Sequence, residues 1–286
     1  MHYGSTIKIY NIIMEKLKDI KDREVYLERL AGPLEEKLRV AKYISADAKN
    51  VLDVGCADGA VTIALAKLFP KISFLGVDLD KDFVKKAQKI ATREKIANVK
   101  FEAVYLRDLL ARPQKYDAVS FISVLHEFYT YGEGISSVVK ALSDAHELLR
   151  PRGRIIIRDM ILSEFTKEAD LYVASVIKKI CVSSQFKKRF LDFEKVYGKV
   201  RTLHALNHFL LKHLYGENWD RELKENYVPV TFEQYEQVCL LLGMKTQVKI
   251  SYLLPYLKNK WQEEFNLTDT ELLQFSSTGI MVAEKV

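Results

Sequence analysis

Val51-Leu52-Asp53-Val54-Gly55-Cys56-Ala57-Asp58-Gly59-Ala60-Val61-Thr62-Ile63-Ala64-Leu65-Ala66 is an apolar run that ends beside an aspartate, passes through a turn of small residues holding two glycines, and continues into helix formers. A buried strand followed by a small-residue turn and a helix brings main-chain N–H groups to one point, a common way of holding a nucleotide. Three turns of this kind compete here. A P-loop requires Gly-Lys-Ser/Thr four residues after its first glycine, and no lysine follows Gly59 before Lys67. A dinucleotide fingerprint places small residues at Gly55, Ala57 and Ala60 and leaves Gly59 outside the spacing. A Gly55, Ala57, Gly59 spacing uses both glycines and brings Asp53 with it, two residues ahead of the first. A carboxylate there repels a pyrophosphate and favours an amino group, so the expected ligand is a nucleoside with a zwitterionic tail.

Working outward, short β-rich runs at 50–54, 72–77, 99–104, 118–123 and 154–158 alternate with helical stretches at 61–69, 83–95 and 135–149. This rhythm predicts an α/β fold with a parallel sheet covered on both faces, whose ligands sit at the carboxyl ends of the strands. Before it, Ile9, Ile12, Ile13, Leu17 and Ile20, then Leu34, Leu38, Val40, Ala41 and Ile44, predict N-terminal helices interrupted at Gly32-Pro33. After Asp159 the alternation breaks into consecutive helices over 163–227. Thr231 then opens a helix stopped by Gly243, and strands at 245–253 and 278–283 close the chain. The expected division is an N-terminal helical segment 1–48, a core of 49–162 with 231–286, and a helical lid 163–230 inserted after the fifth strand.

With 48% hydrophobic residues in 286, the chain can bury a sizeable core. The net charge of +6 is a small surplus of 44 basic over 38 acidic residues. Basic pairs such as Lys85-Lys86 and Lys187-Lys188-Arg189 lie in helical patterns with acids nearby, so they read as solvated faces. Cys56, Cys181 and Cys239 are widely separated and odd in number, which suggests reduced thiols. The sequence lacks a long uncharged apolar run and a basic-then-apolar leader at Met1-His2-Tyr3-Gly4-Ser5, so no membrane partner is expected and the location expected is cytoplasmic.

These motifs together resemble the class I S-adenosylmethionine-dependent methyltransferases. The resemblance rests on Asp53-Val54-Gly55-Cys56-Ala57-Asp58-Gly59, on Gly76-Val77-Asp78-Leu79-Asp80 at the end of the second strand, and on Asn98-Val99-Lys100-Phe101 opening the third. It continues through Tyr116-Asp117-Ala118-Val119, Leu125-His126-Glu127 and Leu148-Leu149-Arg150-Pro151-Arg152-Gly153-Arg154, covering about 35–160 and returning at 231–286. It implies a Rossmann-like, doubly wound, mostly parallel seven-stranded sheet, and S-adenosyl-L-methionine as cofactor with S-adenosyl-L-homocysteine as product. It implies cofactor contacts from Asp53, Gly55, Cys56, Ala57, Gly59, Asp78, Leu79 and Ser123, with Asp78 on the ribose hydroxyls. Asp80 fits better as the cap of the following helix. The chain departs from the family at Ala57, where many members have glycine, and at Tyr105, where many have an acid for the adenine amino group. Either Asp108 takes that role, or Tyr105 stacks and leaves adenine to main-chain groups of Leu106; Asp108 also reads as a helix cap.

Methyl transfer from a sulfonium is an in-line displacement, and a base is needed only where the acceptor arrives protonated. His126 and Glu127 after the fourth strand are the catalytic candidates. The alternative is that His126 shapes the cofactor pocket while Glu127 caps or salt-bridges. Tyr129, Tyr131, Arg158, Asp159 and Trp219 are candidate acceptor contacts; packing, an internal ion pair and an amphipathic helix explain them as well. His204, His208 and His213 lack the further ligands that a metal site requires, so no metal is expected. A small-molecule acceptor under the helical lid is the leading reading. An RNA or tRNA acceptor and a non-catalytic cofactor-binding subunit are the alternatives.

Overall fold

The computed structural model describes residues 34–168 and 171–286. The helices expected before residue 34 lie outside the described residues; after it the chain forms the helical turns Leu34–Lys37 and Leu38–Tyr43. The strands are β1 (Asn50–Val54), β2 (Ser73–Asp78), β3 (Val99–Ala103), β4 (Tyr116–Ile122), β5 (Leu149–Asp159), β6 (Met244–Tyr252) and β7 (Thr278–Lys285). They form one seven-stranded sheet in the order β3-β2-β1-β4-β5-β7-β6. The first five run parallel, and β7 enters antiparallel between β5 and β6. The order reverses direction between β1 and β4, so the loops leaving their carboxyl ends diverge and open a crevice there.

Alternation along the strands sorts the core. Leu52 and Val54 of β1, with Ile155 and Ile157 of β5, pack into one cluster under α4 (Ile135–Leu148) and α8 (Phe232–Leu241). Val51 and Ile156 point the other way, under α1 (Ala60–Leu68) and α2 (Lys81–Arg93). Local signals fix several ends. Asp80 caps α2 by accepting from the N–H of Asp82 at 2.7 Å and of Phe83 at 3.1 Å, as its position predicts. Thr231 opens α8 with a capping box completed by Gln234.

The strand expected at 154–158 begins earlier, at Leu149, because Tyr116 pairs with Leu149 across a register shift before the regular ladder resumes at Arg154. The helical region is also larger than its expected bounds. Helices α5 (Leu171–Ile180), α6 (Ser184–Tyr197) and α7 (Leu203–Lys212) share a core with α9 (Pro255–Phe265), where Trp261 is fully buried. The β6–β7 connection, which the sequence reading leaves within the sheet portion, therefore packs with the helices that follow β5. This proline-led helix is mostly polar, with only Leu257, Trp261 and Phe265 buried, and it joins antiparallel strands, so it left no organisational signal. Among the described residues no helix is long and apolar enough to cross a membrane.

Candidate functional site

The glycine turn lies at the carboxyl end of β1. Gly55 has φ +73° and Gly59 φ +78°, and a Cβ at Gly55 would stand 2.4 Å from Val124 Cγ2. Only glycine combines that backbone with so close a neighbour. Ala57 also takes a left-handed conformation, at φ +47°, which explains why glycine suits this position. An L-residue pays about 1–2 kcal/mol for it, and here the amide hydrogen bond to Asp78 helps to hold the turn. The N–H groups of Gly55 and Cys56 donate to the carbonyl of Val77, at 2.8 and 3.0 Å, which ties the turn to β2. Cys56 itself is buried with its thiol pushed well up by burial, so its contribution to a ligand is main-chain.

Asp78 accepts from the N–H of Ala57 at 2.8 Å and of Asp80 at 2.9 Å. Burial raises its carboxyl to about 6, with the nearby Glu127 adding to the rise. Asp53 is buried and accepts from Thr62 Oγ1 at 2.6 Å and Ser120 Oγ at 2.8 Å. Burial raises its pKa against those hydroxyls and the Lys37 ammonium. Asp53 thus braces the start of α1 against β4 while its charge stays next to the turn. Lys37 is held down to about 8, first by burial and then by Arg158, against the pull of Asp58, Asp53 and Asp159. Lys37 was not foreseen as a site residue, because nothing in its local sequence signals a helical turn folding over the sheet end.

The residues proposed for adenine divide. Leu106 is buried and Tyr105 half-buried at the start of the helical turn Leu106–Ala111, while Asp108 is exposed. The capping position belongs to Tyr105, and no side chain caps this turn, so the cap reading of Asp108 does not hold. Leu79 directly follows β2 and is half-buried. Ser123, at φ +58°, accepts from an Arg158 guanidinium nitrogen at 2.9 Å and donates its N–H to the Arg158 carbonyl.

Adjacent positions on β5 send Arg158 and Asp159 to opposite faces, so they are not each other's partners. Asp159 instead meets His126 in α3 (Leu125–Tyr131): Oδ1 lies 2.7 Å from Nδ1, and Oδ2 accepts the His126 N–H at 3.2 Å. The other ring nitrogen, Nε2, faces Glu225 Oε1 at 3.5 Å. All three side chains are nearly fully buried. Burial works against charge on the imidazole, yet the Asp159 and Glu225 carboxylates overcome it and raise its pKa to about 10. Asp159 is correspondingly lowered. Two carboxylates therefore hold His126 as an imidazolium, away from the near-neutral value of an ordinary histidine. Glu225 lies in the polar-aromatic stretch 218–227, which reads in sequence as a candidate lining of the acceptor pocket or as an amphipathic helix, with no link to His126. The signal was the acid itself in a helical lid, and only the tertiary fold shows that it reaches His126.

Glu127 is half-buried at the same crevice. Its carboxylate, that of Glu225 and the His126 ring have ligand atoms within 4.8 Å of one another, but with a proton on each ring nitrogen the imidazolium offers no lone pair to a metal ion. Tyr131 is half-buried near Glu225, and burial followed by that carboxylate raises its phenol. Tyr129 packs against the sheet core. Trp219 lies edge-on to Phe209 inside the lid core, its ring centroid 6.4 Å away, as an anchoring residue would. Of the α7 histidines, His204 is half-buried and His208 buried: His208 Nε2 accepts the Tyr227 N–H at 3.2 Å, and burial lowers its pKa well below the usual value.

Against this geometry the chain matches the family model described as a methyltransferase domain over residues 45–234. It is 25% identical over 160 residues to a fatty-acid O-methyltransferase of Mycolicibacterium smegmatis, covering 56% of this chain and 53% of that protein. It is 27% identical over 139 residues to a tRNA (guanine-N(7)-)-methyltransferase of Chloroherpeton thalassium, covering 41% and 61%. Across the curated relatives it matches, the chain spans between 23% and 61% of their length. Its fold is similar to that of magnesium protoporphyrin IX methyltransferase from Synechocystis PCC 6803 with bound S-adenosylhomocysteine. The TM-score there is 0.51 at 15% identity, covering 97% of this chain and 94% of that one.

Proposed function

Because this chain belongs to the methyltransferase-domain family, the class I S-adenosylmethionine-dependent methyltransferases, we propose that it methylates an oxygen or nitrogen atom of a small-molecule acceptor whose proton passes to the His126 couple. The observation that carries this reading is His126 held between Asp159 at 2.7 Å and Glu225 at 3.5 Å, beyond the ends of β4 and β5.

The residues present fit the cofactor. The left-handed turn at Gly55 and Gly59 allows close main-chain approach, Asp78 suits the ribose hydroxyls, Asp53 suits the amino group, and Lys37 and Arg158 supply positive charge for a carboxylate. When bound, S-adenosylmethionine supplies a methyl carbon whose sulfur bond breaks, the electron pair staying on sulfur, as the acceptor's lone pair takes the carbon.

The chain's own part is to orient the acceptor and take its proton. At neutral pH the raised pKa of about 10 keeps a proton on each nitrogen of His126. The member of the couple able to take a further proton is Glu225, which faces Nε2. An acceptor hydroxyl or ammonium placed there loses its proton into the couple, and the imidazolium moderates the charge change by lying between the carboxylates. Asp159 fixes the ring through two contacts with α3, one to the main chain and one to Nδ1. The carboxylates of Glu127, Glu225 and Asp78 oppose a phosphate close to the reacting atom, which favours a neutral or cationic small molecule over RNA.

The test incubates purified protein and methyl-labelled cofactor with phenols, alcohols, carboxylic acids and amines, and separately with unmodified tRNA. Label on a small molecule is the expected outcome. Label on tRNA alone overturns the acceptor reading, and no binding of S-adenosylhomocysteine by calorimetry overturns the cofactor reading.

A further inference from the structure

Lys212 ends α7 and is fully buried. Its ammonium donates to the main-chain carbonyls of Glu222 and Glu225, and it lies 4.3 Å from the centroid of the Tyr227 ring and 5.3 Å from that of Tyr197. Burying an ammonium is costly unless its donors are satisfied, and the carbonyl partners and ring faces here offset that cost. An apolar side chain would fill this volume without that cost. What the lysine alone supplies is a pair of strong donors to two carbonyls three residues apart, drawing the 222–225 turn against α7.

That turn carries Glu225. Tyr197 Oη donates to the carbonyls of Leu223 at 2.8 Å and Glu225 at 3.0 Å, so Lys212 and Tyr197 converge on the main chain of Glu225. On the far side, Thr130 Oγ1 of α3 accepts the N–H of Asn226 at 3.0 Å, which joins the turn to the helix that carries His126. Arg221 bonds Glu222 at 3.0 Å, and Tyr227 Oη bonds the other oxygen of Glu222. These contacts fix backbone or a neighbour of Glu225, whose carboxylate faces His126 Nε2 through Oε1 at 3.5 Å and Arg221 through Oε2 at 4.0 Å, with a further hydrogen bond to the Tyr131 phenol.

We propose that Lys212 is a positioning residue: through the carbonyls of Glu222 and Glu225 it sets the distance between the Glu225 carboxylate and His126 Nε2. The inference rests on the reading of His126 and Glu225 as a proton-accepting couple. It identifies the lid as the element that completes the couple, since His126 and Asp159 come from the sheet side and Glu225 from the lid side.

The test follows the His126 ring by NMR of isotope-labelled histidine through a pH titration of the full chain, in wild type, Glu225→Gln, Lys212→Met and Tyr197→Phe. The charged and titratable groups near the ring are Asp159 on β5, Glu127 on α3, Glu225 and Arg221 on the lid turn, and the phenols of Tyr131 and Tyr227. Glu225→Gln is expected to lower the His126 pKa by about one unit or more. Lys212→Met is expected to lower it in the same direction, with S-adenosylhomocysteine affinity within about twofold of wild type, since Lys212 lies away from the glycine turn. Tyr197→Phe, which removes one donor and keeps the ring, gives a smaller shift of the same sign and serves if Lys212→Met does not fold. No shift in Glu225→Gln overturns the couple itself. A shift in Glu225→Gln with none in Lys212→Met or Tyr197→Phe overturns the positioning role alone.

Discussion

The proposed cofactor side and the proposed acceptor side of this site are built on different principles. Around β1 and β2 the site is made from backbone: left-handed turn residues, N–H groups, and carboxylates close to the glycine turn in sequence, with Asp53 and Asp78 flanking the strand ends. Around β4 and β5 it is made from side chains distant in sequence, with Glu225 brought to His126 across 99 residues at 3.5 Å. The first kind of site tolerates little change in local conformation. The second tolerates little change in how the lid seats on the sheet. The difference teaches that the ligand common to a family is held by local geometry, while the chemistry that distinguishes a member depends on packing between parts.

Breaking the acceptor side should have the largest effect. Glu225→Gln is expected to lower kcat by about 10²–10⁴ while leaving S-adenosylhomocysteine binding near wild type, because a positioned acid–base group contributes on that order; rates with the identified acceptor and calorimetric affinities test it together. On the cofactor side, Gly55→Ala introduces a Cβ 2.4 Å from Val124 at φ +73°. Strain and overpacking should lower stability by about 2–4 kcal/mol, seen as a lower denaturant midpoint with cofactor binding lost in parallel. Asp78→Ala, which removes an acceptor for two main-chain N–H groups as well as for ribose, should weaken S-adenosylhomocysteine by about tenfold or more. An unchanged dissociation constant would count against the ribose assignment.

A pH series sharpens the comparison further. The folded pKa of His126 is raised to about 10 from an ordinary value of 6.5, so its contribution to stability is complete below about pH 6.5 and is lost as pH rises toward 10. Asp159 is shifted the other way and loses its contribution as pH falls through its depressed folded value. The gap in thermal midpoint between wild type and His126→Gln should therefore be widest in mildly acidic buffer and narrow steadily toward pH 10; a gap that grows with pH would reverse the assignment. The smallest effect belongs to Ala57→Gly, where relief of the left-handed strain and the added freedom of the unfolded chain nearly cancel, within about 1 kcal/mol.

Much of this was readable from the chain. The strand at Asn50–Val54, the caps at Asp80 and Thr231 and the stop at Gly243 are local signals, each decided by hydrogen bonds or dihedrals within a few residues. Asp78 could be placed because an acid at the end of the second strand necessarily lies beside the turn that ends the first. The segment after β5 was legible as helices but not as a unit with α9, since Trp261 and Phe265 join its core only through long-range packing. The same limit hid the state of His126. Its ordinary pKa is a property of the residue, whereas the raised one belongs to two carboxylates that the fold delivers from β5 and from the lid.

The sequence by itself determined the parallel sheet, the glycine turn and the kind of ligand that turn admits, because strand periodicity, positive φ and neighbouring charge act over short distances along the chain. Only the tertiary structure decided that Asp159 and Glu225 enclose His126 and that Lys212 braces the turn carrying Glu225. Those contacts are electrostatic and steric relations between segments far apart in sequence, and their strength depends on distance and burial, which exist only once the chain has folded.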